Sequence, residues 1–183
     1  GTKLSLTTYT NADEVELLVN GKSYGIKKND KTNPKMRNQI RWENVVYQDG
    51  NCEAIARTNG KVVARHKIVT VGKAVALKAV ADNSDWKADG MDLQHIRIIA
   101  VDSKGRRVPN AVAEVKVNVV GDAQLVAMSN GNINSDELNV TDHQSLFNGS
   151  CLAILRSGVA SSPVVVNISA PGLKAAKLKL ATK

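Results

Sequence analysis

Between Thr8 and Ser23 the chain reads TYTNADEVELLVNGKS. Val15, Leu17 and Val19 fall on one side of a period-2 strand. Asn20-Gly21 follows at once, and this dipeptide most readily takes positive φ at both central positions of a type I′ hairpin turn. A strand with one apolar side that must turn back within two residues commits this stretch to a half-buried antiparallel sheet.

The rest of the first half carries the same signals. Strands are expected near Lys3 to Tyr9, Glu14 to Val19, Ser23 to Lys27, Gln39 to Val46, Cys52 to Arg57 and Lys61 to Val69. The turns include Asn33-Pro34, Tyr47 to Asn51 and Thr58-Asn59-Gly60. About seven short strands in such a length describe a small Ig-like sandwich. The pattern pauses at Val71-Gly72-Lys73 and then restarts, which sets the expected domains at 1–71 and 72–183.

In the second half Val75, Leu77 and Ala79 share a face, as do Ile96, Ile98 and Ala100. Ala113, Val115, Val117 and Val119 alternate with Glu114, Lys116 and Asn118. Further strands are expected at 124–128, 151–156, 164–168 and 175–180. No window of a dozen residues holds a 3.6-residue apolar stripe, so no helix beyond a single turn is expected. Aromatics are 3% of the chain against 43% apolar residues. The cores must therefore be built from Val, Ile, Leu and Ala, which suits strands. The fold class is all-β, two tandem Ig-like antiparallel β-sandwich domains.

The net charge of +8 raises the question of an anionic partner. Its distribution answers no: Lys174, Lys177 and Lys179 surround Ala176, Leu178 and Leu180 as on a solvated sheet face. The densest basic stretch, Lys27 to Arg41, has no aromatic interleaving before Trp42, so no nucleic-acid partner is expected. No apolar run approaches the ~20 residues that span a bilayer, so no membrane partner is expected. Cys52 and Cys151 lie in different halves and are expected as unpaired thiols in strands.

Two likenesses cover nearly the whole chain. "YTNADEVELLVNGKS" resembles the opening of the first accessory β domain that follows the catalytic barrel in bacterial glycoside hydrolase family 2 enzymes, chiefly β-galactosidases. "ADGMDLQHIRIIAVDSKGRRVPNA", from Ala88, resembles an invasin-type bacterial Ig-like domain, with turns at Asp89-Gly90 and Lys104-Gly105. "SNGNINSDE" from Ser129 and "LFNGSCLAIL" from Leu146 are similar to segments of the last accessory domain of the same glycosidases. The resemblance implies a bacterial parent, periplasmic or secreted, that cleaves terminal β-galactosides or related β-glycosides with retention. It also implies that the catalytic glutamates belong to a (β/α)8 barrel outside this sequence, and that this barrel is the partner of residues 1–183. Gly1 before Thr2 and the abrupt start of a strand fit a piece of a longer protein.

No catalytic residue is therefore expected here. Glu14 and Glu16 lie about 6.6 Å apart if two along a strand, inside the roughly 5 to 9.5 Å window of glycosidase carboxyl pairs. They sit opposite Val15, Leu17 and Val19, so they should face water, where nothing raises either pKa. Asp142, His143 and Ser145 have triad chemistry but are crowded together without a nucleophile elbow, and read as a loop cluster. His66 shares the Val62, Ala64, Ile68 side and reads as a core or interface histidine. Asp82, Asp85, Asp89 and Asp92 prompt a calcium check, yet their spacing is not that of an EF-hand and Lys87 sits among them, so turn capping is expected. Neither metal nor cofactor is expected.

The candidate cleft-rim or sugar contacts are Asn130, Asn132, Asp136, His143 and Asn148, in a long polar stretch, together with Trp42 and Trp86. Each Trp is first a core filler, and stacks on a sugar only if exposed. A carbohydrate-binding module and an adhesin stalk are the rival functions. Exposed indoles would favour the first, and internal repetition, which "VELLVNGKS" lacks, would favour the second.

Overall fold

The computed structural model describes all 183 residues. The chain is all-β, without a helix, and divides into two compact units, Gly1–Thr70 and Val71–Lys183.

The first unit holds β1 (Lys3–Tyr9), β2 (Glu14–Val19), β3 (Lys22–Lys28), β4 (Gln39–Val46), β5 (Asn51–Thr58) and β6 (Lys61–Val69). These six are the strands located from the sequence, one short of the count of about seven, and the stretch around Asn33-Pro34 forms turns as expected. A sheet ordered β3-β2-β5-β6 faces a two-stranded sheet, β1-β4. Asn20 and Gly21 have φ of 49° and 80°, so β2 turns straight into β3 as the hairpin dipeptide requires. Val15, Leu17 and Val19 of β2 pack with Ile40, Trp42 and Val45 of β4 to form the core.

The residues of the family-like opening act as fasteners. Thr10 Oγ1 accepts the Ala12 amide at 3.0 Å. Asp13 accepts Lys31 Nζ at 2.7 Å and the Asn59 amide at 2.9 Å. The buried Asn29 donates to the carbonyls of Thr10 and Ala12 and accepts the Asn38 amide, tying the 29–38 loop down.

The second unit holds β7 (Ala76–Ala81), β8 (Leu93–Val101), β9 (Glu114–Val120), β10 (Ala123–Ser129), β11 (His143–Ser145), β12 (Ser150–Ser157), β13 (Pro163–Ala170) and β14 (Leu173–Ala181). They run in the order β10-β12-β8-β7-β14-β13-β9-β11. Every pairing is antiparallel except a single parallel register pair, Lys174 with Ala76. The ladder folds over at that weak link into two facing quartets. Ile96, Ile98, Ala153 and Leu155 from one quartet meet Val115, Val117, Val164 and Ile168 from the other. The alternation expected in β9 and β13 is the inner face of this sandwich.

Gly149 shows what the Phe-Asn-Gly segment is for. Its φ is +69°, and a Cβ there would lie 2.1 Å from the Val108 carbonyl oxygen. Only glycine permits this approach between the β11–β12 turn and the Val108 segment.

Candidate functional site

The long stretch after β10 is built around one carboxylate. Glu137 Oε2 accepts hydrogen bonds from Asn130 Nδ2 (3.0 Å), Ser135 Oγ (3.0 Å) and Gln144 Nε2 (2.9 Å). Its Oε1 accepts the Ser145 amide at 3.0 Å. Asn130 Nδ2 also donates to the Ser145 carbonyl, and Asn130 Oδ1 accepts the Asn132 amide. These bonds fasten the loop to β11, leaving Ile133, Leu138 and Val140 exposed on its outer side.

Asn130 and Asn132 are half-buried structural members of this network, whereas Asp136, His143 and Asn148 are exposed. His143 Nδ1 lies 2.9 Å from Asp142 Oδ1 and 2.9 Å from Thr141 Oγ1. The Asp142 carboxylate raises the His143 pKa, and His143 and then Lys116 lower that of Asp142. The Asn148 carbonyl accepts the Arg107 guanidinium. The expected loop cluster at 142–145 needs correction, since His143, Gln144 and Ser145 form β11 against Lys116, Val115 and Glu114.

Glu137 escaped sequence reading because its partners Gln144 and Ser145 are brought in by the β9 pairing, which no local spacing encodes. Hydrogen bonds from the Ser145 side, Ser135 and Gln144 hold its pKa below the usual value against the opposing effect of burial. Its stabilisation is therefore complete above the unfolded carboxyl pKa and is lost as pH falls through the folded value. Glu137→Ala is expected to abolish slow exchange of the Ser145 amide while leaving β12 and β13 protected. Amide exchange by NMR checks this, and retained protection at Ser145 would contradict the clamp.

Both indoles are buried, Trp42 2% and Trp86 1% exposed, so neither offers a ring face to a sugar. Each is the core filler expected first, and burial removes both from the candidate sugar contacts: in a chain so poor in aromatics the cores consume them. Trp86 Nε1 donates to the Asp92 carbonyl at 3.0 Å, and Lys27 Nζ lies over the Trp42 ring.

Glu16 is not simply solvated, as expected from alternation. It is half-buried, paired with Arg57 at 2.9 Å and accepting from Ser23 Oγ at 2.9 Å. Arg57 lowers its pKa, the reverse of what a glycosidase acid needs. His66 is exposed on β6, which removes the core alternative and leaves the interface one.

The four loop aspartates are occupied by local partners. Asp89 Oδ1 accepts the amides of Met91 and Asp92, and Asp92 accepts those of Lys87 and Leu93. Asp82 accepts the His95 amide, and Asp85 pairs with Lys183. Cys52 and Cys151 are free thiols, half-buried and buried. Burial pushes the Cys151 pKa up to about 12.

Glycoside hydrolase family 2 C-terminal domain 5 is the family whose model matches residues 77–179. The chain belongs to this family. A domain of unknown function, DUF4982, matches residues 1–64 ahead of it. A β-galactosidase of Bacteroides ovatus is 34% identical over 175 residues, 96% of this chain and 20% of that protein. A β-glucuronidase of Formosa agariphila is 29% identical, over 95% of this chain and 17% of that protein. The crystal structure of a glycosyl hydrolase family 2 member from Bacteroides cellulosilyticus superposes with a TM-score of 0.94 at 32% identity, covering 100% of this chain and 23% of that one.

The family 2 C-terminal domain thus spans, with its leading unit, about a fifth of the length of the curated relatives it matches. It corresponds to the accessory C-terminal region of family 2 β-galactosidases and β-glucuronidases.

Proposed function

We propose that residues 1–183 are two Ig-like accessory domains, 1–71 and 72–183, of a β-galactosidase-like family 2 enzyme. They serve as a structural partner to its catalytic barrel and carry none of the reacting groups. One observation carries this reading: nearly the whole chain aligns with only a fifth of a β-galactosidase. The state of Glu16 supports it, since a carboxyl held ionised by Arg57 cannot lend a proton to a leaving group.

In this reading the parent cleaves terminal β-galactosides, or related β-glycosides, through a covalent glycosyl intermediate with retention. The stretch from Asn130 to Asn148 borders its substrate cleft, with Asp136, His143 and Asn148 facing outward and Asn130 and Asn132 holding the loop in shape. The Glu137 clamp supports that role, because a loop that contacts substrate gains from being ordered beforehand.

The test uses aryl β-galactoside and aryl β-glucuronide substrates with residues 1–183 alone and with the longer chain. Residues 1–183 are expected to release no aglycone above the buffer rate. The longer chain is expected to prefer the galactoside and to release the β-anomer first, as followed by proton NMR. Turnover by residues 1–183, or inversion by the longer chain, would overturn the proposal.

A further inference from the structure

A groove of about 570 Å³ crosses the first unit. Its floor is the inner face of β2 and β5, where alternate residues Val15, Leu17, Cys52, Ala54 and Ala56 point into it. Its walls are of another kind. On the β1 side the run from Leu6 through Thr10 lines it without a gap, and on the β6 side so do Ala64, Arg65 and His66. Successive side chains of a strand point to opposite faces, so an unbroken run of lining residues marks a strand edge. The groove therefore lies between two edges over an apolar floor.

The strand count explains the opening. Two strands, β1 and β4, face four. β4 lies against β3, and β1 pairs with nothing but β4, so the inner side of β6 is left bare. Ile68 there is 56% exposed, and Tyr9 at the end of β1 is 77% exposed. The outward amides and carbonyls of β1 have no ladder partner and form a template for one more strand. A strand occupies about 4.8 Å beside its neighbour and about 3.3 Å per residue along it, so the run from Leu6 to Thr10 would seat about five residues.

We propose that this groove receives a strand donated by the larger part of the family 2 parent chain, outside residues 1–183, completing a sandwich of three strands over four. The donor's source rests on the reading under Proposed function; the slot rests on geometry alone. Its chemistry follows from the walls. The β1 wall offers the hydroxyls of Thr7, Thr8 and Thr10, and on the β6 wall Arg65 is already paired with Glu53 at 3.0 Å. The donor is thus an extended segment, apolar toward Ala54 and Ile68, whose main chain pairs with the free edge of β1. The relatives are some fivefold longer than this chain, which leaves ample polypeptide to supply it.

Cys52 on the floor reports occupancy, and Cys151, buried in the other unit, is the internal control. Residues 1–183 and the longer chain are each labelled with a water-soluble maleimide at pH 8, and amide exchange is followed along β1. Cys52 is expected to label in residues 1–183 and at least tenfold more slowly in the longer chain, where the outward β1 amides also become protected. In the longer chain Ile68→Glu, at a position exposed enough for residues 1–183 to tolerate it, is expected to restore Cys52 labelling.

Equal labelling in both chains overturns the proposal. So does shielding of Cys52 without protection of β1, which would mean that a side-chain surface fills the groove. Protection within residues 1–183 that grows with concentration would assign the slot to a second copy and overturn the donor. Absence of glycosidase activity in the longer chain would remove the functional reading while leaving the thiol result intact.

Discussion

Trp86→Ala is expected to destabilise residues 71–183 by about 3 to 5 kcal/mol, the range for deleting a large buried aromatic. The indole is 1% exposed and belongs to the cluster that includes Leu77, Ile96, Met128 and Leu155. Its Nε1 hydrogen bond to the Asp92 carbonyl anchors the acidic loop, and its carbonyl accepts the Lys183 amide at 2.9 Å, while the Ala88 amide donates to the Lys183 carbonyl at 2.8 Å. The loss is read from Cys151, which lies in the same core and becomes labelled only when that core opens. Urea unfolding followed by Cys151 labelling should show the midpoint falling sharply. Trp86→Phe should recover most of the packing but not the hydrogen bond. Trp42→Phe in the first unit should cost less, because Trp42 Nε1 is buried without an acceptor. If Cys151 opens no more readily in Trp86→Ala than in the unsubstituted chain, the indole is not the keystone of this core.

Much of this fold is legible in the sequence because each unit has one dry side per strand. β2 is the clearest case: Val15, Leu17 and Val19 alternate with Glu14, Glu16 and Leu18 and end at Asn20-Gly21, so both the strand and its exit are written locally. β11 is not. It is three residues long, and it becomes a strand only because β9 supplies the ladder and Glu137 holds it there. The candidate loop was visible as a long polar run, but its organiser was not, since Glu137 reaches partners seven and eight residues away that only the tertiary fold aligns.

His66 and Cys52 show a different limit. Alternation with Ala64 and Ile68 marks the inner side of β6 correctly, yet periodicity reports which face is apolar and not whether anything lies over it. Above β6 nothing does, because the opposing sheet stops at β1. The same feature that leaves His66 out of a core is the one that defines the strand-shaped groove.

Asp102→Ala should lower the melting temperature of residues 71–183 by roughly 10 °C, a large single-site effect. Asp102 is the first residue of the Asp-x-x-Gly turn, and its side chain is 1% exposed. Oδ1 accepts the amides of Lys104 (2.9 Å) and Arg106 (3.0 Å), and Oδ2 accepts the Gly72 amide (3.1 Å) and Arg106 Nε (2.9 Å). Alanine would leave three amides without an acceptor and strand a half-buried guanidinium. The Arg106 guanidinium, followed by the backbone amides, holds the carboxyl well below the usual carboxylate range against the opposing effect of burial. With the folded pKa below the unfolded one, the unfolded chain binds the extra proton on acidification. The stabilisation is therefore complete above about pH 4 and is lost as pH falls through the folded value. Asp102→Asn keeps the shape and one acceptor oxygen but has no proton to gain. Its deficit in melting temperature against the unsubstituted chain should hold constant from pH 7 to 4 and narrow between pH 4 and 2. A deficit that stays the same down to pH 2 would mean that the carboxylate charge contributes nothing to the turn.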